Sequence, residues 1–131
     1  MILGIGHDLA EIGRIGRLLS GRTGQRFMKR VLTAKELELA ESKGARLAEF
    51  VAGRFAAKEA VVKAFGCGIG NIMGFTDIEI RPDDKGKPCV RLSPEAWQRL
   101  GLQSAVVNVH VTITHERTMA SAFVVIEKSG V

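Results

Sequence analysis

Cysteine is scarce in this chain of 131 residues, which has only two. Cys67 and Cys89 lie far apart, with no CxxC pair and no Cys/His cluster around them. A disulfide framework or a zinc site is therefore disfavoured, and both residues are expected to be reduced thiols. Long apolar runs are also missing: no stretch reaches the roughly 18 consecutive residues a membrane span needs. The N-terminus, Met1-Ile2-Leu3-Gly4-Ile5-Gly6, has no basic region ahead of its apolar run and reaches Asp8 too soon for a secretory signal. No Gly-x-x-x-x-Gly-Lys-Ser/Thr run is present, so a P-loop nucleotide site is not supported. What the chain does have is an ordinary globular composition, 46% hydrophobic and 25% charged. That composition predicts a folded cytoplasmic protein, a single domain over residues 1–131 that buries roughly two thirds of its unfolded surface.

Acidic residues are absent from one long window. Between Arg14 and Lys35 the basic residues Arg14, Arg17, Arg22, Arg26, Lys29, Arg30 and Lys35 occur without a single Asp or Glu. The chain as a whole carries 19 basic and 14 acidic residues, a net charge of +5. A one-sided run can be a solvated helix face, but it also fits an acidic partner, either nucleic acid or an acidic protein. Phe27 is the only aromatic residue in the window, so a platform for stacking bases is poorly supported.

Periodicity orders the elements. Residues 2–8 read as a short buried strand and 9–20 as a helix, with Leu9, Ile12, Ile15 and Leu19 spaced for one face and Gly13 and Gly16 weakening it. Thr33 followed by Glu36 matches a capping box opening a helix over 34–43, with Gly44 as its stop. Residues 46–65 form the longest helical pattern, carried by Leu47, Phe50, Val51, Phe55, Val62 and Phe65. A glycine-rich turn follows. Strands are expected over 76–81 and through Val90 and Leu92, joined by a hairpin at Asp83-Asp84-Lys85-Gly86-Lys87-Pro88. Ser93-Pro94 caps a short helix over 94–100. The alternation Val107, Val109, Val111, Ile113 gives the strongest strand signal, and 119–127 returns after a turn.

Three places combine polar groups with apolar or glycine-rich surroundings. Asp8 ends the first strand, where a side chain can reach a ligand or can simply cap the next helix. Glu59 and Lys63 share one face of the long helix, either as an ordinary ion pair or as part of a narrow charged stripe facing water, a partner or a bound ion. Thr112-Ile113-Thr114-His115 ends the best strand, and Gly86-Lys87-Pro88 adds a lysine beside a fixed bend.

Taken in order, Ile5-Gly6-His7-Asp8, Gly53-Arg54-Phe55-Ala56-Ala57-Lys58-Glu59-Ala60-Val61-Val62-Lys63-Ala64 and Thr112-Ile113-Thr114-His115 strongly resemble the holo-[acyl-carrier-protein] synthase class of small bacterial 4′-phosphopantetheinyl transferases. The likeness covers essentially the whole chain. It implies an α+β fold, a single 4′-phosphopantetheinyl-transferase-like domain with an antiparallel sheet packed by one long helix and shorter helices. It also implies transfer of 4′-phosphopantetheine from coenzyme A to a serine of apo acyl carrier protein, releasing 3′,5′-ADP in support of fatty acid biosynthesis.

By this resemblance Asp8 and Glu59 are the Mg²⁺ ligands, and Lys63 joins them in catalysis. Arg54, Lys63, Gly86, Lys87, Pro88, Thr114 and His115 line the coenzyme A pocket, with His115 near the 3′-phosphate. Mg²⁺ typically takes one or two protein carboxylates and fills its remaining positions with phosphate oxygens and water. The serine needs a base, either Glu59 itself or a water it orients. Arg14, Arg17, Arg22 and Arg26 become the docking surface for acidic acyl carrier protein, and the family's homotrimer places the site between adjacent subunits. His7 should point away from the Asp8 side, because adjacent strand residues face opposite ways. A small nucleic-acid-binding module is the competing reading, but it leaves the Asp8, Glu59 and His115 segments unexplained. Neither nucleic acid nor a membrane is expected as a partner.

Overall fold

The computed structural model describes residues 1–130. The chain begins with β1 (Ile2–Glu11), then runs through α1 (Ile12–Ser20), α2 (Gly24–Val31) and α3 (Ala34–Ala40) into the long helix α4 (Leu47–Phe65). A hairpin follows, β2 (Ile78–Pro82) and β3 (Pro88–Leu92), then α5 (Pro94–Leu100), β4 (Val107–His115) and β5 (Met119–Lys128). All strand pairing is antiparallel: one sheet has the order β1-β5-β4, and β2 and β3 form the other.

The three-stranded sheet and α4 pack closely because small residues line their contact. Ala120, Ala122, Val124 and Ile126 of β5 are buried against Ala56, Ala57, Ala60 and Ala64 of α4. On β1 two glycines allow the helix backbone still nearer. A Cβ at Gly4 would lie 1.9 Å from the Ala64 carbonyl oxygen, and one at Gly6 would lie 2.0 Å from that of Ala60. The helix ends where Gly66 takes a left-handed conformation (φ 77°). The Cys67 N–H reaches back to the Val62 carbonyl and the Gly66 N–H to that of Lys63, a Schellman closure. Ile78, Ile80 and Leu92 of the hairpin join the same core as Val124 and Val107.

Local capping accounts for the short helices. Thr33 and Glu36 form the reciprocal capping box of α3, and the Ser93 hydroxyl caps α5, with Pro94 in its first turn. In the hairpin turn the Asp83 carboxylate accepts the N–H groups of Lys85 and Lys87, while Gly86 supplies the positive φ of 85°. No helix among the described residues is long and apolar enough to cross a membrane.

The structure corrects four sequence expectations. The first strand is not buried: Ile5 is 62% and Leu9 54% exposed, because β1 turns its glycine side to α4 and its apolar side outward. It also extends to Glu11, with Leu9 paired to Ser121 and Ala10 to Ala120, so the first helix starts three residues later than the spacing predicts. α2 lies within the basic run, where no helix was marked. α3 stops at Ala40 rather than 43, and Gly44 opens the 3₁₀ turn Gly44–Arg46 that leads into α4.

Candidate active site

Alternation along β1 sends Asp8 to the α4 side of the sheet and His7 to the other. On α4, Glu59 and Lys63 are one turn apart. The Lys63 ammonium donates to the Asp8 carboxylate at 2.8 Å and to the His7 carbonyl at 3.1 Å, joining residues 55 and 56 positions apart. Asp8 is thus not a helix cap; Glu11 holds the N-cap position of α1, with no side-chain bond. Nor do Glu59 and Lys63 form an ordinary helix pair, since the partner of Lys63 is on β1. His7 bonds the Ser121 hydroxyl at 2.9 Å and packs near the Phe123 ring on the outer face.

The electrostatics of these groups are coupled. Partial burial pushes the Glu59 carboxyl above its ordinary value, the negative charge of Asp8 pushes it further, and Lys63 opposes both. The hydrogen bond and charge of Asp8 raise Lys63. Two carboxylates close enough to disturb one another, with one already drawing an ammonium, fit a hard divalent cation. No group of three or more His, Cys, Asp and Glu side chains suited to an ion occurs among the described residues. The protein would supply two oxygen donors and leave the other positions to water and phosphate, the preference of Mg²⁺.

The remaining candidates lie in two other places. Arg54 stacks over the Phe50 ring at 4.6 Å, and its buried Nε has no hydrogen-bond partner. Burial lowers its guanidinium from the ordinary value, against the opposing charge of Glu36. His115 sits beside the first turn of α4, its Nδ1 3.3 Å from a Glu49 carboxylate oxygen. Thr114 pairs with Ser121. At the hairpin, Lys87 and Pro88 border a groove of about 540 Å³ that Arg91, Trp97 and His110 also line. Among the described residues no hydrogen bond or ion pair joins Gly86, Lys87 or Pro88 to Asp8, Glu59 or Lys63.

Arg14, Arg17, Arg22 and Arg26 are all exposed on α1, α2 and the turn between them. Arg17 meets Glu11 at 3.6 Å, and the other three have no carboxylate within 4.0 Å among the described residues. Thr23, Arg26, Phe27, Lys29 and Arg30 line a second groove of about 560 Å³.

One pair escaped the sequence reading. Lys58, given no role by the sequence beyond its place in the motif, is wholly buried against Glu36. The signals were present, a lysine among alanines and a capping-box glutamate, but nothing in the spacing connects them.

An α4–β1 contact that gathers two carboxylates and a lysine, beside an exposed basic surface, now has a family to set it in. The chain belongs to the 4′-phosphopantetheinyl transferase superfamily, whose model matches residues 4–118. Within that class it is 48% identical to the holo-[acyl-carrier-protein] synthase of Bacillus mycoides over 131 residues, 99% of each chain. Among solved structures it resembles the holo-(acyl-carrier-protein) synthase of Bacillus anthracis in complex with CoA (3′,5′-ADP). That likeness has a TM-score of 0.82 and 46% identity, covering 98% of this chain and 99% of that one. The Neisseria meningitidis holo-[acyl-carrier-protein] synthase gives a TM-score of 0.87 at 38% identity, covering 98% and 100%.

Proposed function

We propose that this chain transfers 4′-phosphopantetheine from coenzyme A to a serine hydroxyl of apo acyl carrier protein, serving fatty acid biosynthesis. The observation that carries the reading is the meeting of Asp8, Glu59 and Lys63 in a chain 48% identical to a holo-[acyl-carrier-protein] synthase along its whole length. The serine oxygen forms a bond to the phosphorus that bears pantetheine. The bond from that phosphorus to the ADP oxygen breaks, 3′,5′-ADP leaves, and the serine proton passes to a base.

Each residue has a role in this reaction. Asp8 and Glu59 would hold Mg²⁺, which when bound would neutralise charge on the pyrophosphate and the leaving oxygen. Glu59 takes up the serine proton directly or through a water it orients. Lys63 offers its ammonium to phosphate oxygens from its seat on Asp8. Arg54, Gly86, Lys87, Pro88, Thr114 and His115 complete the coenzyme A pocket. Arg14, Arg17, Arg22 and Arg26 receive the acidic carrier, steering its approach at low salt.

The reading includes a single cytoplasmic domain that assembles as a homotrimer with the site between adjacent subunits. Its support is the outer sheet face, where Ile5 is 62%, Leu9 54% and Phe123 42% exposed, an apolar surface suited to burial against other copies. Light scattering tests the trimer; a monomer at all concentrations rejects it.

Intact mass of an apo acyl carrier protein, after incubation with this protein, coenzyme A and Mg²⁺, tests the reaction. The expected result is a gain of one phosphopantetheine that both EDTA and the Glu59→Ala substitution abolish. No gain with a folded protein and several carriers overturns the reading and turns attention to polyanion binding by the basic surface.

A further inference from the structure

Among the described residues, the two fully buried charged side chains lie outside the proposed chemistry. Lys58 and Glu36 are both 0% exposed, and the Lys58 ammonium lies 2.5 Å from Glu36 Oε1. The same ammonium donates to the carbonyl of Val31, the last residue of α2, at 2.6 Å. The Glu36 carboxylate also accepts the N–H of Thr33 at the start of α3 and the N–H of Ile80 in β2, each at 2.8 Å. One buried ion pair thus joins α2, α3, β2 and α4. Next to it, the Thr33 hydroxyl donates to Glu79 at 2.7 Å, a second link between α3 and β2.

Stability alone is a weak reason to keep such a pair, because well-packed apolar residues often replace a buried ion pair at no loss. Position is a better one. Consecutive helical residues are turned by about 100°, so clamping Lys58 also fixes the roll of α4 at Glu59. The bond to Val31 fixes the end of the helix that displays Arg26, Lys29 and Arg30. A further link between α2 and α4, Phe27 against Phe55 with ring centroids 6.2 Å apart, is a non-directional apolar contact that does not define a register.

We infer that Lys58, acting through Glu36, is a positioning residue that sets the basic docking helix and Glu59 at a fixed separation, so that a carrier held on α2 presents its serine to the site. This rests on the carrier docking proposed above. Lys58 itself touches neither substrate nor metal; its neighbours are Glu36 and the Val31 carbonyl.

The test uses the full-length protein, the Lys58→Met/Glu36→Gln double variant, which removes both buried charges, and Glu36→Gln alone as the milder change. Thermal melting establishes that each is folded. Calorimetry then gives coenzyme A binding, and steady-state kinetics give kcat and KM for apo acyl carrier protein. In a folded variant, carrier KM should stay near wild type, because the basic side chains remain, and coenzyme A affinity should fall much less than kcat, since Glu36 Oε2 is also 4.0 Å from Arg54 Nε of the proposed pocket. The kcat should fall about 10- to 100-fold, the scale expected from misplacing reactants by an ångström. Wild-type kcat in a folded double variant overturns the inference. So does an equal loss in coenzyme A binding and turnover, which marks a purely structural pair. A wild-type protein that leaves the carrier unmodified instead overturns the functional reading beneath it, so the two failures are distinct.

Discussion

Lys58 and Lys63 stand five residues apart on one helix, yet the side chain of the first is 0% exposed and that of the second 52%. Lys58 and the carboxylate it faces together join four elements, and every partner it has is protein. Lys63 faces Asp8 across an open rim, beside a glutamate whose carboxyl is raised above its ordinary value by partial burial and by Asp8. The difference teaches a division of labour between the two sides of α4. Saturated charges order the fold, while partly exposed and mutually repelling ones remain free to exchange partners with a ligand. Both sides depend on the alanine and glycine contact with the sheet, which fixes where the helix lies.

The comparison can be broken from the open side first. Glu59→Gln keeps the shape of the side chain and removes the carboxylate proposed to hold the metal and to serve or orient the base. Initial rates of carrier modification should fall by at least about 10²-fold, the lower scale of general-base contributions, with little change in melting temperature. A large drop in melting temperature would show that this side also orders the fold.

A smaller effect is expected from the surface the two sides share. Gly6→Ala places a methyl where only 2.0 Å separates it from the Ala60 carbonyl oxygen, so strand and helix must part. Overpacking of this kind costs about 1–3 kcal/mol, measurable by urea denaturation, and it should reduce activity too, because Asp8 and Glu59 sit on the separated elements. Unchanged stability would mean that the close approach is not a constraint.

The smallest effect is sought away from both sides, at Asp77. Burial works to raise its carboxyl, but the Ser93 hydroxyl, the Gly74 N–H and the charge of Arg99 together hold it below its ordinary value of 3.8. A depressed carboxylate contributes stability above its unfolded value and loses it as pH falls through the lower folded value. Melting curves from pH 6 to pH 2 should therefore drop more steeply for wild type than for Asp77→Asn across the acid end of that range. Parallel curves would remove this contribution.

How much of this was legible depended on how local the signal is. The α4 pattern, the Thr33–Glu36 capping box, the Ser93-Pro94 cap and the Val107–Ile113 alternation all lie within one element, and the corresponding elements formed. α2 was missed because its segment carries three basic residues and is anchored by Phe27 and Val31 to distant partners. The outward face of β1 was missed because glycines look neutral in sequence, and only the approach of Ala60 and Ala64 shows which side they serve. Asp8, Glu59 and Lys63 were singled out by motif order; the 55-residue contact between Asp8 and Lys63 follows from topology, which periodicity does not encode. Lys58 was overlooked because its partner lies 22 residues away and a charge on an apolar helix reads as exposed.

The most direct measurement sets Lys58→Met beside Lys63→Met, recording urea denaturation and the rate of carrier modification for each. Removing Lys58 takes the closest counter-charge from the buried Glu36 carboxylate and leaves it only Arg54, 4.0 Å away, so that variant should lose about 3–5 kcal/mol, the scale of a broken buried ion pair. Lys63→Met should denature like wild type and lose transfer. If the Lys63 variant is the one that unfolds, or the Lys58 variant is as stable as wild type, the division of labour along α4 is wrong.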